Sequence, residues 1–279
     1  MDTHDEARAT LAALAGAGDG AVDIAPAALA LAAFDRPRVG LERYRLHLAE
    51  LAEAVGEAVA DQKGAGDVQI HAALLAMIMA DRFDYRGDEL TYDDLQNANL
   101  MRVIDRRRGL PVALGILYMH AARAQGWQAV GLNFPGHFLI RIDTGAGRAI
   151  LDPFGGGAIV SPADLRRLLT AVSGAEANLL PEHYEPVPDR AILLRLQNNI
   201  VMRRLRQGDL EAAARALDSM LIFAPDRPAL WRESALVQAR LENLGAAIAA
   251  LEHFARLTPS AGEKHEALAL LQSWKGRLN

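Results

Sequence analysis

With 279 residues, 51% of them hydrophobic and 23% charged, the chain has apolar material for one large domain or two ordinary ones, a balance that suits neither disorder nor a membrane protein. A formal net charge of -5 argues against broad nucleic-acid binding, which needs a basic face to release counterions. The absence of cysteine removes disulfides, thiolate metal ligands and cysteine nucleophiles together, and it suits a reducing compartment.

The opening Met1-Asp2-Thr3-His4-Asp5-Glu6 lacks the positive charge of a secretory signal. The apolar stretch from Ile24 to Phe34 contains Pro26 and is too short to span a bilayer, so the chain reads as cytoplasmic, with no membrane partner. Residues 1–80 read as a helical region. Leu11 and Leu14, then Ala27, Leu29 and Leu31, recur at helical spacing, and Leu41, Tyr44, Leu48, Leu51 and Val55 form a cleaner stripe. Pro37 separates these segments, and Lys63 to Asp67 reads as a loop around Gly64 and Gly66. A further helix is expected over Val68 to Arg82.

Residues 81–180 change character. Asp93-Asp94 is placed to cap a helix running to Arg108, with Gly109 as its stop. Pro111 suits the first turn of the next helix, which runs to Gln125, ends at Gly126, and is apolar enough all round to be buried. Strands are expected over Trp127 to Phe134, His137 to Asp143 and Arg148 to Phe154, with a turn at Thr144 to Gly147 and a closing Gly155-Gly156-Gly157. Pro162 to Val172 reads as a short helix. Pro181, Pro186 and Pro188 make 180–190 the best linker candidate.

Residues 191–279 carry an internal repeat. Leu210, Ala212, Ala213, Ala216, Leu217 and Pro225 recur as Leu244, Ala246, Ala247, Ala250, Leu251 and Pro259, each pair 34 apart. That is the period of tetratricopeptide repeats, paired helices whose small residues permit close packing. Trp231 falls where that pattern has its first-helix tryptophan, Gln197 stands there in the preceding copy, and Glu263 to Trp274 is expected to cap the array.

The chemistry concentrates in the middle region. If the turn is Thr144 to Gly147, Asp143 faces Arg148, His137 lies opposite Phe154, and Asp152 is its diagonal neighbour on the same face, within side-chain reach. A carboxylate on an imidazole is two-thirds of a nucleophile–His–Asp triad. The missing third belongs at the start of the buried helix, where a helix dipole favours a thiolate. Residues 109–126 contain no Cys, Ser, Thr or Lys, and Pro111, Val112 and Ala113 fill the position. No serine lies between residues 81 and 157, which removes a serine hydrolase. His71 and His120 lack the converging company of a metal site, so no metal or cofactor is expected.

Asn97-Ala98-Asn99-Leu100, Arg108-Gly109-Leu110-Pro111, Phe134-Pro135-Gly136-His137-Phe138 and Leu151-Asp152-Pro153-Phe154-Gly155-Gly156 resemble the bacterial SirB-one family. The resemblance implies an α+β fold: a papain- or transglutaminase-like core with a small antiparallel sheet, a helical N-terminal region, and tetratricopeptide-like repeats at the C-terminus. It also places His137 and Asp152 on the histidine and aspartate positions of active transglutaminase-like enzymes, whose cysteine opens the helix that starts here near Pro111 to Ala113.

The expected function is a non-catalytic scaffold or regulator that binds a protein partner. The alternative is a hydrolase or amide-transfer enzyme using His137 and Asp152 with water. Candidate binding residues are Asn97, Asn99, Arg107, Arg108, Gly136, Tyr118 and Trp231. The Asn99 amide is a candidate donor facing His137, and Arg106 to Arg108 a candidate contact for an acidic partner.

Overall fold

The structure, a computed structural model, describes residues 3–16, 18, 22–62, 67–174 and 177–278. The loop expected from Lys63 therefore lies, except for Asp67, outside the described residues. By internal contacts the chain forms two units, Met1–Ala7 with Gly18–Leu196 and Arg8–Ala17 with Gln197–Asn279.

The helices of the first half are α1 (Thr3–Ala15), α2 (Ile24–Asp35), α3 (Glu42–Ala60) and α4 (Val68–Ala76). Helix α2 is apolar on all sides because it is buried on nearly all of them. On α3 the stripe begun at Leu41 is fully buried through Tyr44, Leu48, Leu51 and Val55. The Asp67 carboxylate accepts from Gln69 N and caps α4, which runs on into a π-helical turn, Met77–Arg82.

The single helix expected up to Arg108 is two elements. Asp94 caps only a short 3-10 turn, Leu95–Ala98. Asn99 then leaves helical geometry, and its side chain caps α5 (Leu100–Arg106) by accepting from Arg102 N. Arg107 ends α5 in the left-handed conformation (φ 58°), so the stop is not Gly109. Arg108–Gly109 instead forms β2, paired in parallel with β1 (Arg86–Gly87). Helix α6 (Pro111–Arg123) opens on its proline and buries ten of its residues.

Five strands make the sheet: β3 (Gln128–Leu132), β4 (Ile140–Asp143), β5 (Arg148–Asp152), β6 (Ala158–Ile159) and β7 (Pro186–Val187), in the order β6-β5-β4-β3-β7 with every pairing antiparallel. The hairpin register is the one the turn count predicts, Asp143 opposite Arg148. The ladder stops at Ile140 opposite Leu151, however, so His137 lies in a bend and not opposite Phe154 in a strand. Helix α7 (Pro162–Ser173) follows, opened by a capping box between Ser161 and Asp164. Segment 180–190 is no free linker: Pro181–Tyr184 is a 3-10 turn, and Pro186–Val187 is the edge strand beside Leu132 and Gly131. An edge tolerates proline because one side of its backbone needs no partner.

After α8 (Asp189–Gln207) come α9 (Leu210–Phe223), α10 (Pro228–Arg240), α11 (Leu244–Leu257) and α12 (Ala261–Leu278). Helices α9 and α11 start and end 34 residues apart (244 less 210, 257 less 223). Ala213 and Leu217 of one copy, and Ala247 and Leu251 of the other, are buried. Helix α12 buries Ala267, Leu271 and Trp274 against α10 and α11, the place expected of a terminal cap. Among the described residues no helix is long and apolar enough to cross a membrane. The architecture is α+β.

Candidate functional site

His137 is delivered by the bend before β4. Gly136 holds φ +66°, and a Cβ there would stand 2.7 Å from a Val172 methyl, so both conformation and space demand glycine. Asp152 closes β5. His137 Nε2 lies 3.0 Å from Asp152 Oδ2. The second carboxylate oxygen accepts from Phe154 N at 3.0 Å, and the Asp152 carbonyl accepts from Gly157 N at 2.8 Å, so its own turn fixes the acid. A carboxylate oxygen accepts, so in the neutral ring Nε2 carries the proton and the Nδ1 lone pair is the basic position. Nδ1 has no hydrogen bond among the described residues. The side chains of His137 and Asp152 are 22% and 19% exposed, so the pair is open to water on one side.

Tyr118, on α6, is fully buried, and its hydroxyl has no hydrogen-bond partner among the described residues. Burial pushes its phenol up; the Arg86 guanidinium pulls it down and the Asp152 carboxylate pushes it up again, which places the ring in the field of the dyad's acid. A Cβ on Gly157 would stand 2.8 Å from the Tyr118 ring, and one on Gly155 3.1 Å from Asp152 Oδ2. The triple glycine is therefore a seam packed tightly over both groups.

The other candidates spend their polar groups inside the fold. The Asn97 amide donates to Thr91 O at 2.7 Å and accepts from Arg106 at 2.9 Å. The Asn99 amide donates to Ala32 O at 3.0 Å, tying α5 to α2; with its oxygen capping α5, it is not a donor facing His137. Arg108 pairs with Asp84, and Arg106 with Asp88. Burial alone would raise the Asp88 carboxyl, but hydrogen bonds from Thr91, Asn97 and Arg106 bring it down to about 2. These arginines line a cleft of about 630 Å3 with Arg86, Phe154 and Gly156. Arg86 is itself paired with Asp81 and Asp84. Arg106 and Arg108 therefore meet carboxylates of their own chain before they can meet a partner's. Trp231, in the second unit, stacks on His253 with ring centroids 4.1 Å apart and donates to Pro225 O at 2.7 Å.

Arg107 joins a cluster that sequence reading missed. Its guanidinium reaches His47 and Tyr85, while His47 Nδ1 lies 2.8 Å from Glu50 and Nε2 2.8 Å from the Tyr85 hydroxyl. The neutral ring is fully satisfied there. Burial lowers the His47 pKa below the ordinary 6.5, Arg107 lowers it further, and Glu50 offsets only part. Burial also lowers His120. As pH falls below 6.5 the unfolded chain takes up protons that these folded imidazoles resist, so stability should fall. Each group contributes a slope of at most about 1.4 kcal/mol per pH unit. The urea midpoint should drop between pH 7.5 and 5.5, and His47→Gln should flatten that drop. A midpoint that stays level across this range would contradict the account.

Among the described residues no group of three or more His, Cys, Asp or Glu side chains is placed to hold a metal ion. What the site offers chemically is a base, Nδ1 of His137, oriented by a fixed carboxylate.

Comparison with known proteins agrees with this architecture. A profile described as "Transglutaminase-like superfamily" matches residues 42–198, more than half of the chain, and one described as "Tetratricopeptide repeat" matches residues 202–272. A UPF0162 protein of Xylella fastidiosa is 31% identical over 182 residues, 64% of this chain and 65% of that protein, so the chain spans a little under two thirds of that relative's length. A UPF0162 protein of Vibrio cholerae is 29% identical over 241 residues, 86% of this chain and 88% of its own. F-box only protein 21 of Mus musculus is 30% identical over 172 residues, 59% of this chain and 26% of that protein.

Proposed function

This chain belongs to the transglutaminase-like superfamily, and we propose that it works as a non-catalytic protein that binds a protein partner through its repeats, its dyad cleft or both. We place it in the SirB-one branch of that superfamily on the motifs around Asn97, Pro111, His137 and Asp152, and in the cytoplasm on its sequence.

One observation carries the proposal. The helix that would present a nucleophile opens Leu110-Pro111-Val112-Ala113, and Val112 and Ala113 are buried. A pyrrolidine ring or a methyl group has no lone pair to attack a carbonyl, and activating a base does not supply one. No cysteine exists elsewhere in the chain to substitute. The tetratricopeptide helices meanwhile expose Leu236, at 46%, beside a groove of about 430 Å3 bounded by Pro228, Phe254 and Pro259.

The second reading is a hydrolase or amide-transfer enzyme that uses water. The exposure of His137 and its unoccupied Nδ1 favour it. His137→Ala separates the two. Purified protein offered peptide and amide substrates should show the same background rate with and without the imidazole. Partner capture that survives His137→Ala and fails in the full-length Leu236→Glu variant puts the partner on the repeats, and the reverse pattern puts it in the dyad cleft. Turnover that disappears with the imidazole would replace the binding proposal by the enzymatic one.

A further inference from the structure

A second polar constellation lies at the C-terminal end of α6. His120 is nine residues beyond Pro111, roughly 13 Å of helix rise from it. It lines a groove of about 770 Å3 walled by Val22, Ile24, Val130 and Val187. Asp23, Arg123 and Asp189 supply the remaining charge. None of these residues belongs to the dyad.

The charges do not balance. Arg123 and Asp189 neutralise each other through a bidentate pair at 2.6 and 2.8 Å, and Arg123 also donates to Ala129 O. His120 Nε2 lies 3.2 Å from Leu48 O. A carbonyl only accepts, so Nε2 holds the proton and Nδ1 is left as an acceptor. Asp23 stands at the N-cap of α2 without making a cap bond, and its carboxylate has no partner among the described residues. It is near enough for its charge to act on His120. The side chains lining the groove thus present two acceptors, one of them charged, and Arg123, the charged donor among them, is already paired.

We propose that this groove takes a lysine side chain from a partner peptide. The ammonium sits between Asp23 and His120, its three donors matching two acceptors and water. The four-carbon stem lies along the apolar wall, as lysine stems do wherever the head can stay wet. A groove of about 770 Å3 is several times larger than one side chain, so residues flanking the lysine also find room. This site stands independently of the repeats.

The test uses the full chain and the peptide acetyl-Ala-Val-Lys-Val-Ala-amide, followed by amide chemical shifts at Ile24, Val130 and Val187. A control peptide carries norleucine for lysine, keeping the stem and removing the charge. The lysine peptide should bind at least about tenfold more tightly, the worth of one charge-assisted hydrogen bond. Asp23→Asn, a change at an exposed position, should erase that preference while leaving the fold intact. The proposal is overturned by the absence of a saturable shift with the lysine peptide, by equal affinity for the norleucine peptide, or by a preference for lysine that persists in Asp23→Asn. Hexylammonium binding as tightly as the peptide would also overturn it, by making this a site for free amines. Capture through Leu236 is a separate measurement, so either result can fail alone.

Discussion

Phe138→Ala should destabilise the first unit by about 3–5 kcal/mol, a large share of the roughly 5–15 kcal/mol that holds a typical domain together. Phe138 is 1% exposed and lies where α6 meets the sheet. A Cβ on Gly115 of α6 would stand 2.4 Å from its ring, and one on Gly131 of β3 2.8 Å. Two glycines therefore make room for a single aromatic side chain, and truncating it leaves a void that neither neighbour can fill. The Arg195 guanidinium also lies 5.3 Å over the ring and loses its platform. Because Phe138 directly follows His137, the loosened bend should disturb the imidazole as well. Urea unfolding measures the first effect, and the ring resonances of His137 report the second. Phe138→Leu, which refills part of the void, should recover a good part of the stability. A loss below about 1 kcal/mol would mean that the core repacks around the gap and that the glycines serve another purpose.

The dyad was legible because hairpin geometry is counted from the turn outward. Once Asp143 pairs with Arg148, Asp152 is fixed at the end of β5, and its carboxylate reaches the imidazole although His137 lies in a bend and not in a strand. The 34-residue period was legible for a similar reason, since each copy solves the same packing problem with the same small residues. Elsewhere the sequence shows residue types and hides their partners. Asn97 reads as a binding residue and Asn99 as a donor for the cleft, yet their partners are Thr91 O, Arg106, Ala32 O and Arg102 N, none of which composition or spacing can indicate. Arg107 in a left-handed conformation is a place where glycine would be the usual sign, and a tertiary contact overrides that preference. Three prolines read as a linker because the use of one of them, Pro186, in an edge strand depends on whether a neighbouring strand is present. Asp23 and His120 share a groove across 97 positions of sequence, 120 less 23, and no local pattern connects them.

Pro111→Cys should install a thiol that titrates at least about one pH unit below the ordinary 8.5 or so. Three features combine in this expectation. The first helical position meets the positive end of the α6 dipole, which favours a thiolate. The proline supplies no N–H there, and a cysteine N–H at that position needs no intrahelical partner, so the exchange leaves the helix bonds intact. The chain has no other cysteine, so every thiol signal reports this one. Alkylation by iodoacetamide, followed from pH 5 to 9, measures the midpoint. The midpoint is the better readout, because the nucleophilicity of a thiolate declines along with its pKa and blunts any change in rate at one pH. His137→Ala in the same background should move the midpoint back up, since an imidazolium beside the sulfur no longer supports its charge. Ala113→Cys should behave in the opposite way: position 113 is fully buried, so its thiol should resist the reagent across the whole range. If the cysteine at position 111 titrates near 8.5 whether or not His137 is present, the start of α6 does not face the dyad. The reading of this fold as a site lacking only its attacking atom then fails.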